Sequence, residues 1–197
     1  LDLHLRHTFR ISRGASDQRS NLLVELEEGG HVGLGEAAPI LRYREDRASA
    51  RAAVERMAPA LGDLRRFATA AREAAVPGQR SAEAAVDMAL HDLAGKRLGA
   101  PLFELLGLDP RRAPLTSFTI GMDTPEVVAA KVREAEGYPI LKIKLGSPDD
   151  REMLAAVRDT TDRRLRVDAN EGWTLETAEE RLKWLAQLGV EFVEQPL

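Results

Sequence analysis

From Thr116 onward the chain alternates short β-prone runs with helix-length amphipathic segments, and this rhythm restricts the fold more than any other feature. Residues 116–121, 141–146, 165–170 and 190–197 read as strands. Between them, Thr124-Pro125-Glu126 supplies an N-cap residue and a first-turn proline, and residues 148–159 read as a second helix. Residues 175–188 set Leu175, Ala178, Leu182, Leu185 and Leu188 on one stripe of a third. Only a helix-length connection returns the chain to the same edge of a sheet, so the successive strands are expected to be parallel. The region is a run of βα units.

The strands carry residues that an apolar β core would not choose. Side chains two apart on a strand point the same way, which pairs Lys142 with Lys144 and Asp168 with Asn170, while Glu194 ends the next strand. A lysine that acts as a base near neutral pH needs a depressed pKa, and a second ammonium on the same face, like partial burial, disfavours its charged form. Edge lysines that guard against aggregation are the alternative, but a strand flanked by βα units on both sides is internal. Asp168 and Glu194 lie one βα unit apart, so both can reach a common point at the C-terminal ends of the strands. Two hard oxygen ligands suit Mg2+. Taken singly, Asp168 could be a turn former ahead of Gly172-Trp173 and Glu194 a solvated strand end; together with the lysines they point to metal-assisted proton transfer.

Such a parallel run fits either an open doubly wound sheet or a (β/α)8 barrel. No G-x-G-x-x-G is present and polar residues mark several consecutive strand ends, which favours the barrel, of which four strands fit in this chain. The first forty residues read instead as antiparallel strands, with a hairpin turning at Glu28-Gly29-Gly30. Between Arg47 and Gly95 the chain reads as Ala-rich helices, broken by Pro59, Pro77 and Gly78. The last of them aligns Ala82, Ala85, Val86, Ala89, Leu90 and Leu93. The expected organisation is an α+β capping domain over residues 1–113, followed by the first half of a TIM-like α/β barrel over residues 114–197.

A net charge of −4 with scattered positive residues gives no field for a phosphate backbone, so a nucleic-acid partner is not expected. There is no cysteine and no apolar run near the roughly 20 residues that cross a bilayer, so no disulfide framework, thiolate zinc site or membrane span is expected. A cytoplasmic location is the default reading. The start, Leu1-Asp2-Leu3-His4, lacks the apolar core of a secretory signal, and a first residue other than Met suggests a trimmed N-terminus. The four histidines have no ligand spacing. Glu36 is expected to shape a turn, Trp173 and Trp184 to pack, and Arg65-Arg66 and Arg163-Arg164 to form charged surface turns.

Five motifs in order resemble the enolase superfamily, in its muconate lactonizing enzyme/mandelate racemase branch. They are Gly33-Leu34-Gly35-Glu36-Ala37-Ala38-Pro39, the segment from Ala84 through Leu105-Leu106-Gly107, the K-x-K strand, the D-A-N strand and V-E-Q-P. The match is greatest to dipeptide epimerases of the L-Ala-D/L-Glu type. The resemblance implies an isomerase in which Mg2+, held by Asp168 and Glu194, stabilises an enediolate. Lys144 would move the α-proton, with Lys142 as its electrostatic partner and Asn170 beside the ligands. A third metal acid and an opposite-face lysine would come from later strands. Thr119, on the first barrel strand, would face the substrate or merely fill the barrel. Phe9, Arg10, Ser12 and Arg13 fall in the family's mobile cap loop, and Tyr43 in its second cap loop. A small-molecule substrate, a dipeptide or N-substituted amino acid, and a homo-oligomeric state are expected. N-succinylamino acid racemase, o-succinylbenzoate synthase and muconate-type cycloisomerase share the same half-site. A truncated, inactive fragment is the reading from another class.

Overall fold

The computed structural model describes residues 1–62 and 66–197, so Arg65 lies outside the described residues. Two compact units emerge: Leu1–His4 with Gln18–Ala113, and Leu5–Asp17 with Pro114–Leu197. Strands β1 (Asp2–Ile11) and β2 (Gly14–Ser20) form a two-stranded sheet whose turn belongs to the second unit.

In the first unit, β3 (Leu22–Glu28) pairs antiparallel with β4 (His31–Ala37). Gly29 and Gly30 take φ of 60° and 79°, the two left-handed positions that a tight hairpin turn of matching twist requires. Glu36, expected to shape a turn, lies within β4 instead, and its Oε1 accepts from Asn21 Nδ2 at 2.7 Å. The helices are α1 (Arg47–Met57), α2 (Phe67–Glu73), α3 (Arg80–Leu98) and α4 (Leu102–Leu105). A capping box opens α1, with Ser49 N donating to the Asp46 side chain at 2.7 Å and Asp46 N donating to Ser49 Oγ at 2.9 Å. The six apolar positions read from the sequence of α3 are all buried. Gly33 and Gly35 of β4 let the helix backbone at Ala85 and Ala89 lie directly on the strand. A Cβ added at Gly33 would meet Ala89 O at 2.1 Å, and one added at Gly35 would meet Ala85 O at 1.8 Å.

The second unit alternates as expected: β5 (Ser117–Ile120), α5 (Pro125–Glu134), β6 (Ile140–Lys144), α6 (Asp150–Thr160), β7 (Arg164–Asp168), α7 (Leu175–Gln187) and β8 (Val190–Glu194). The strands form one parallel sheet in the order β5-β6-β7-β8. Leu141, Ile143, Leu165 and Val167 bury one face against Val128 and Val132 of α5 and Leu154 and Val157 of α6. The α7 stripe is only partly realised. Ala178 and Leu185 reach the core, whereas Leu182 is exposed and Leu175, at the first helical position, is 74% exposed. The covered face of α7 is narrower than its apolar stripe. Arg163 is likewise more than a surface charge: its guanidinium donates to Ala135 O, Val132 O and Tyr138 O at 2.5, 2.8 and 2.9 Å. The last carbonyls of a helix have no partner within it, and Arg163 supplies one. Among the described residues no helix is long and apolar enough to cross a membrane.

Two glycines separate packing from backbone geometry. Gly35→Ala forces β4 off α3 and is expected to cost about 1–3 kcal/mol, whereas Gly29→Ala meets no atom within 4 Å and should cost only about 1 kcal/mol from its left-handed φ. Urea unfolding of the two variants checks the order. On α7, Leu185→Ala should cost about 2–4 kcal/mol and Leu182→Ala less than about 1 kcal/mol by the same measurement.

Candidate active site

Parallel pairing puts residues of equal register on the same face of the sheet, and here it aligns the charged residues in two tiers. Lys144 stands opposite Asp168, and Asp168 opposite Glu194. One tier below, Thr119 stands opposite Lys142, and Lys142 opposite Arg166. The upper tier depends on an irregularity. From Leu165↔Val190 to Val167↔Val193, β8 contains one residue more than β7, and this bulge brings Glu194 level with Asp168. Regular alternation from Val190 would have set Val193 there.

Asp168 is the centre of the arrangement, 1% exposed. Its Oδ2 accepts from Lys144 Nζ at 2.6 Å and lies 3.0 Å from Lys142 Nζ, while its Oδ1 accepts from the backbone N–H of Asn170 at 2.9 Å. Burial works to raise its pKa, but these donors outweigh it and hold the carboxyl below its ordinary value. Lys142 Nζ also donates to Glu194 Oε2 at 2.7 Å. Burial works against the Lys142 ammonium too, yet the hydrogen bonds to Glu194 and Asp168 keep its pKa above the ordinary lysine value. Lys142 is therefore a firm cation within reach of two carboxylates. The sequence suggests two lysines crowding one another on a strand face; the structure gives each of them Asp168 as counter-charge.

Asn170 departs from the strand geometry assumed for it. β7 ends at Asp168 and Asn170 has φ of 50°, so the rule that residues two apart share a face stops before it. It is buried nonetheless, and its Oδ1 has no hydrogen-bond partner among the described residues. Its carbonyl accepts from Ser12 Oγ at 2.9 Å and Arg13 Nη1 at 2.7 Å, which ties the tip of the β1–β2 hairpin to the loop after β7. Arg10 O accepts from Met122 N at 3.0 Å, on the segment after β5. Thr119 is half-buried. Tyr43, 66% exposed in the 3-10 turn Leu41–Tyr43, belongs to the first unit and is not among the residues the second unit gathers.

Sequence reasoning passed over a buried cluster beneath these loops. Asp150, Trp173 and Arg181 meet there, and Trp173, read as a packing residue, donates its Nε1–H to Asp150 Oδ2 at 3.1 Å. The available signal was Ser147-x-x-Asp150 directly after a strand, the spacing at which a helix-opening carboxylate folds back on the preceding backbone. Ion pairing of Arg166 with Glu191 at 2.9 Å, one tier below the site, was also missed.

The donor set fits a hard divalent cation. Asp168 and Glu194 both lie within 3.0 Å of one positively charged atom, Lys142 Nζ, so two carboxylates from adjacent strands converge where a cation is already favoured. Among the described residues no three acids or imidazoles cluster in metal-binding geometry. Two carboxylates are hard oxygen donors of the kind such an ion takes.

Comparison with known proteins places these features in a family. The N-terminal domain of the mandelate racemase / muconate lactonizing enzyme family matches residues 2–107, and the enolase C-terminal domain-like family matches residues 126–197. The chain is 37% identical over 206 residues to an L-Ala-D/L-Glu epimerase from Bacteroides thetaiotaomicron, covering 100% of this chain and 52% of that protein. It is 42% identical over 210 residues to a hydrophobic dipeptide epimerase from Roseobacter litoralis, covering 99% of this chain and 59% of that one. Among solved structures, a dipeptide epimerase from Cytophaga hutchinsonii, complexed with Mg and the dipeptide D-Ala-L-Val, superposes with a TM-score of 0.89 at 28% identity, over 100% of this chain and 57% of its own. The chain thus spans about half the length of the curated relatives it matches. Matched through its cap and its βα units alike, it belongs to the mandelate racemase / muconate lactonizing enzyme branch of the enolase superfamily.

Proposed function

We propose that the whole protein is a magnesium-dependent epimerase that removes and returns the α-proton of a dipeptide. One observation carries the reading: two lysines from β6 and two carboxylates from β7 and β8 converge on one point at the strand ends. Asp168 and Glu194 would hold Mg2+. When bound, the ion would supply fixed positive charge against a substrate carboxylate whose oxygens gain charge as the α-proton leaves.

The chain's own residues do the rest. Lys144, its Nζ positioned by Asp168 at 2.6 Å and only 8% of the residue exposed, would take or deliver the α-proton on one face, and the second lysine expected from the remainder of the protein would do the converse on the opposite face. Lys142 keeps its positive charge and would lie against the developing enediolate, where a preorganised cation stabilises it without reorganisation. Asn170 would orient Asp168 through its backbone N–H. Thr119 on β5 and Arg13 on the hairpin tip are proposed substrate-facing residues. The relatives' names support the dipeptide class, either L-Ala-Glu or a hydrophobic dipeptide. A third metal acid and a second lysine are expected from the remainder of the protein, as the family resemblance implies.

Proton NMR in D2O, with the full-length protein, Mg2+ and L-Ala-L-Glu or a hydrophobic dipeptide, tests this directly. The wild type should exchange the α-proton for deuterium, and Lys144→Ala should slow exchange by about 10²–10⁴-fold, the scale of a lost general base. Unchanged exchange would remove Lys144 from the chemistry. Asp168→Asn should raise the Mg2+ concentration for half-maximal activity by about 10-fold or more. An unaltered Mg2+ dependence would reduce Asp168 to a loop former.

A further inference from the structure

The buried carboxylate of Asp150 has no part in the reaction proposed above, yet more donors meet there than at any of the reacting groups. Asp150 is the first residue of α6 and 1% exposed. Its Oδ1 accepts from Gly146 N at 2.9 Å, Ser147 N at 2.8 Å and Ser147 Oγ at 3.3 Å. Its Oδ2 accepts from Trp173 Nε1 at 3.1 Å and pairs with Arg181 Nη1. These donors come from two different loops and a helix. Gly146 and Ser147 follow β6, the strand of Lys144; Trp173 follows β7, the strand of Asp168; Arg181 lies on α7.

The two loops are also in direct contact. A Cβ built on Gly172 would lie 2.7 Å from Gly146 Cα, and one built on Gly146 would lie 2.7 Å from Ala169 O. No side chain fits between these backbones. The hydrogen bond from Leu145 N to Asp168 O at 3.0 Å continues the ladder into this contact, immediately beyond the Lys144–Asp168 pair. A buried ionised carboxylate is tolerated only when its lone pairs are filled, so the Asp150 carboxylate requires both loops to present their N–H groups at once.

We infer that Asp150 is a positioning residue for the proton-transfer site: it clamps the loops after β6 and β7 together and so sets the distance between Lys144 Nζ and Asp168. The inference rests on the proposed function for its catalytic consequence, but the clamp is a property of the fold. Near-attack geometry is sensitive at the scale of an ångström, so loosening the clamp costs turnover before it costs binding.

The test uses the full-length protein with Asp150→Asn and Trp173→Phe. Asp150→Asn keeps the shape but loses charge and one acceptor oxygen; it should lower kcat for α-proton exchange by about 10²-fold with KM within about 3-fold of wild type. Trp173→Phe removes a single donor and should lower kcat by about 5-fold, with a modestly lower melting temperature because a buried acceptor loses a partner, and the variant still folded at the assay temperature. If Asp150→Asn does not fold, Trp173→Phe decides. Wild-type kcat in folded variants, or a loss confined to KM, overturns the positioning role. Amide exchange separates the two hypotheses: if the wild type exchanges no α-proton, the epimerase reading fails, and the clamp is judged by the amides of Leu145 and Asn170. Exchange at both faster by about 10-fold or more in the variants supports the clamp; wild-type protection at both overturns it.

Discussion

The register of three parallel strands is the constraint on which the rest depends. Lys144, Asp168 and Glu194 come from separate βα units, and each is unremarkable alone: a strand-end lysine, an acid before a loop, an acid before a proline. Pairing Lys144 with Asp168 and Asp168 with Glu194 places all three at one level of one face. A slip of one residue in any strand would turn its charged side chain toward the hydrocarbon of α5 and α6. The apolar face prevents that slip, because Leu141, Ile143, Leu165 and Val167 are buried only in the observed register.

The electrostatics that follow are poor value for stability and good value for chemistry. Removing Asp168 and Lys144 from water costs several kcal/mol for each ion, and their attraction roughly offsets this only because hydrogen bonds fill the remaining positions. An apolar pair of similar volume would hold the strands as well. What the ionic arrangement supplies is charge held in place: an acid kept ionised by three donors and a lysine kept cationic by two acids. Fixed charges of this kind stabilise a developing anion without having to move. Beneath them, Asp150 binds the loops that follow β6 and β7, so the same backbone that carries Lys144 and Asp168 is braced from behind.

Much of this was legible from residue order. The K-x-K and D-A-N strands, V-E-Q-P and the helical spacing around them suffice for the βα rhythm, the parallel sheet and the convergence of lysines with acids. The helix over Arg80–Leu98 could be drawn from its alanines, and the β3–β4 hairpin from Gly29-Gly30. The misreadings share a cause. Leu175 and Leu182 satisfy the apolar stripe of α7 yet are exposed among the described residues; Arg163 looks like a surface charge until three carbonyls of an earlier βα unit are brought to it; Trp173 packs in the core as read, but its N–H also meets Asp150. Each depends on a partner distant along the chain.

By itself, the order of amino acids determined the secondary structure, the apolar faces and which charged side chains stand at strand ends, because these follow from local periodicity and from the chemistry of each residue. Tertiary structure alone decided three things. The bulge in β8 brings Glu194 level with Asp168. The left-handed turn at Asn170 takes that residue off the strand and offers its carbonyl to Ser12 and Arg13. The closed contact of Gly146 with Gly172 lets one carboxylate, Asp150, serve two loops. All three are matters of how one strand end is offset from the next, and an offset between segments has no signature within either segment.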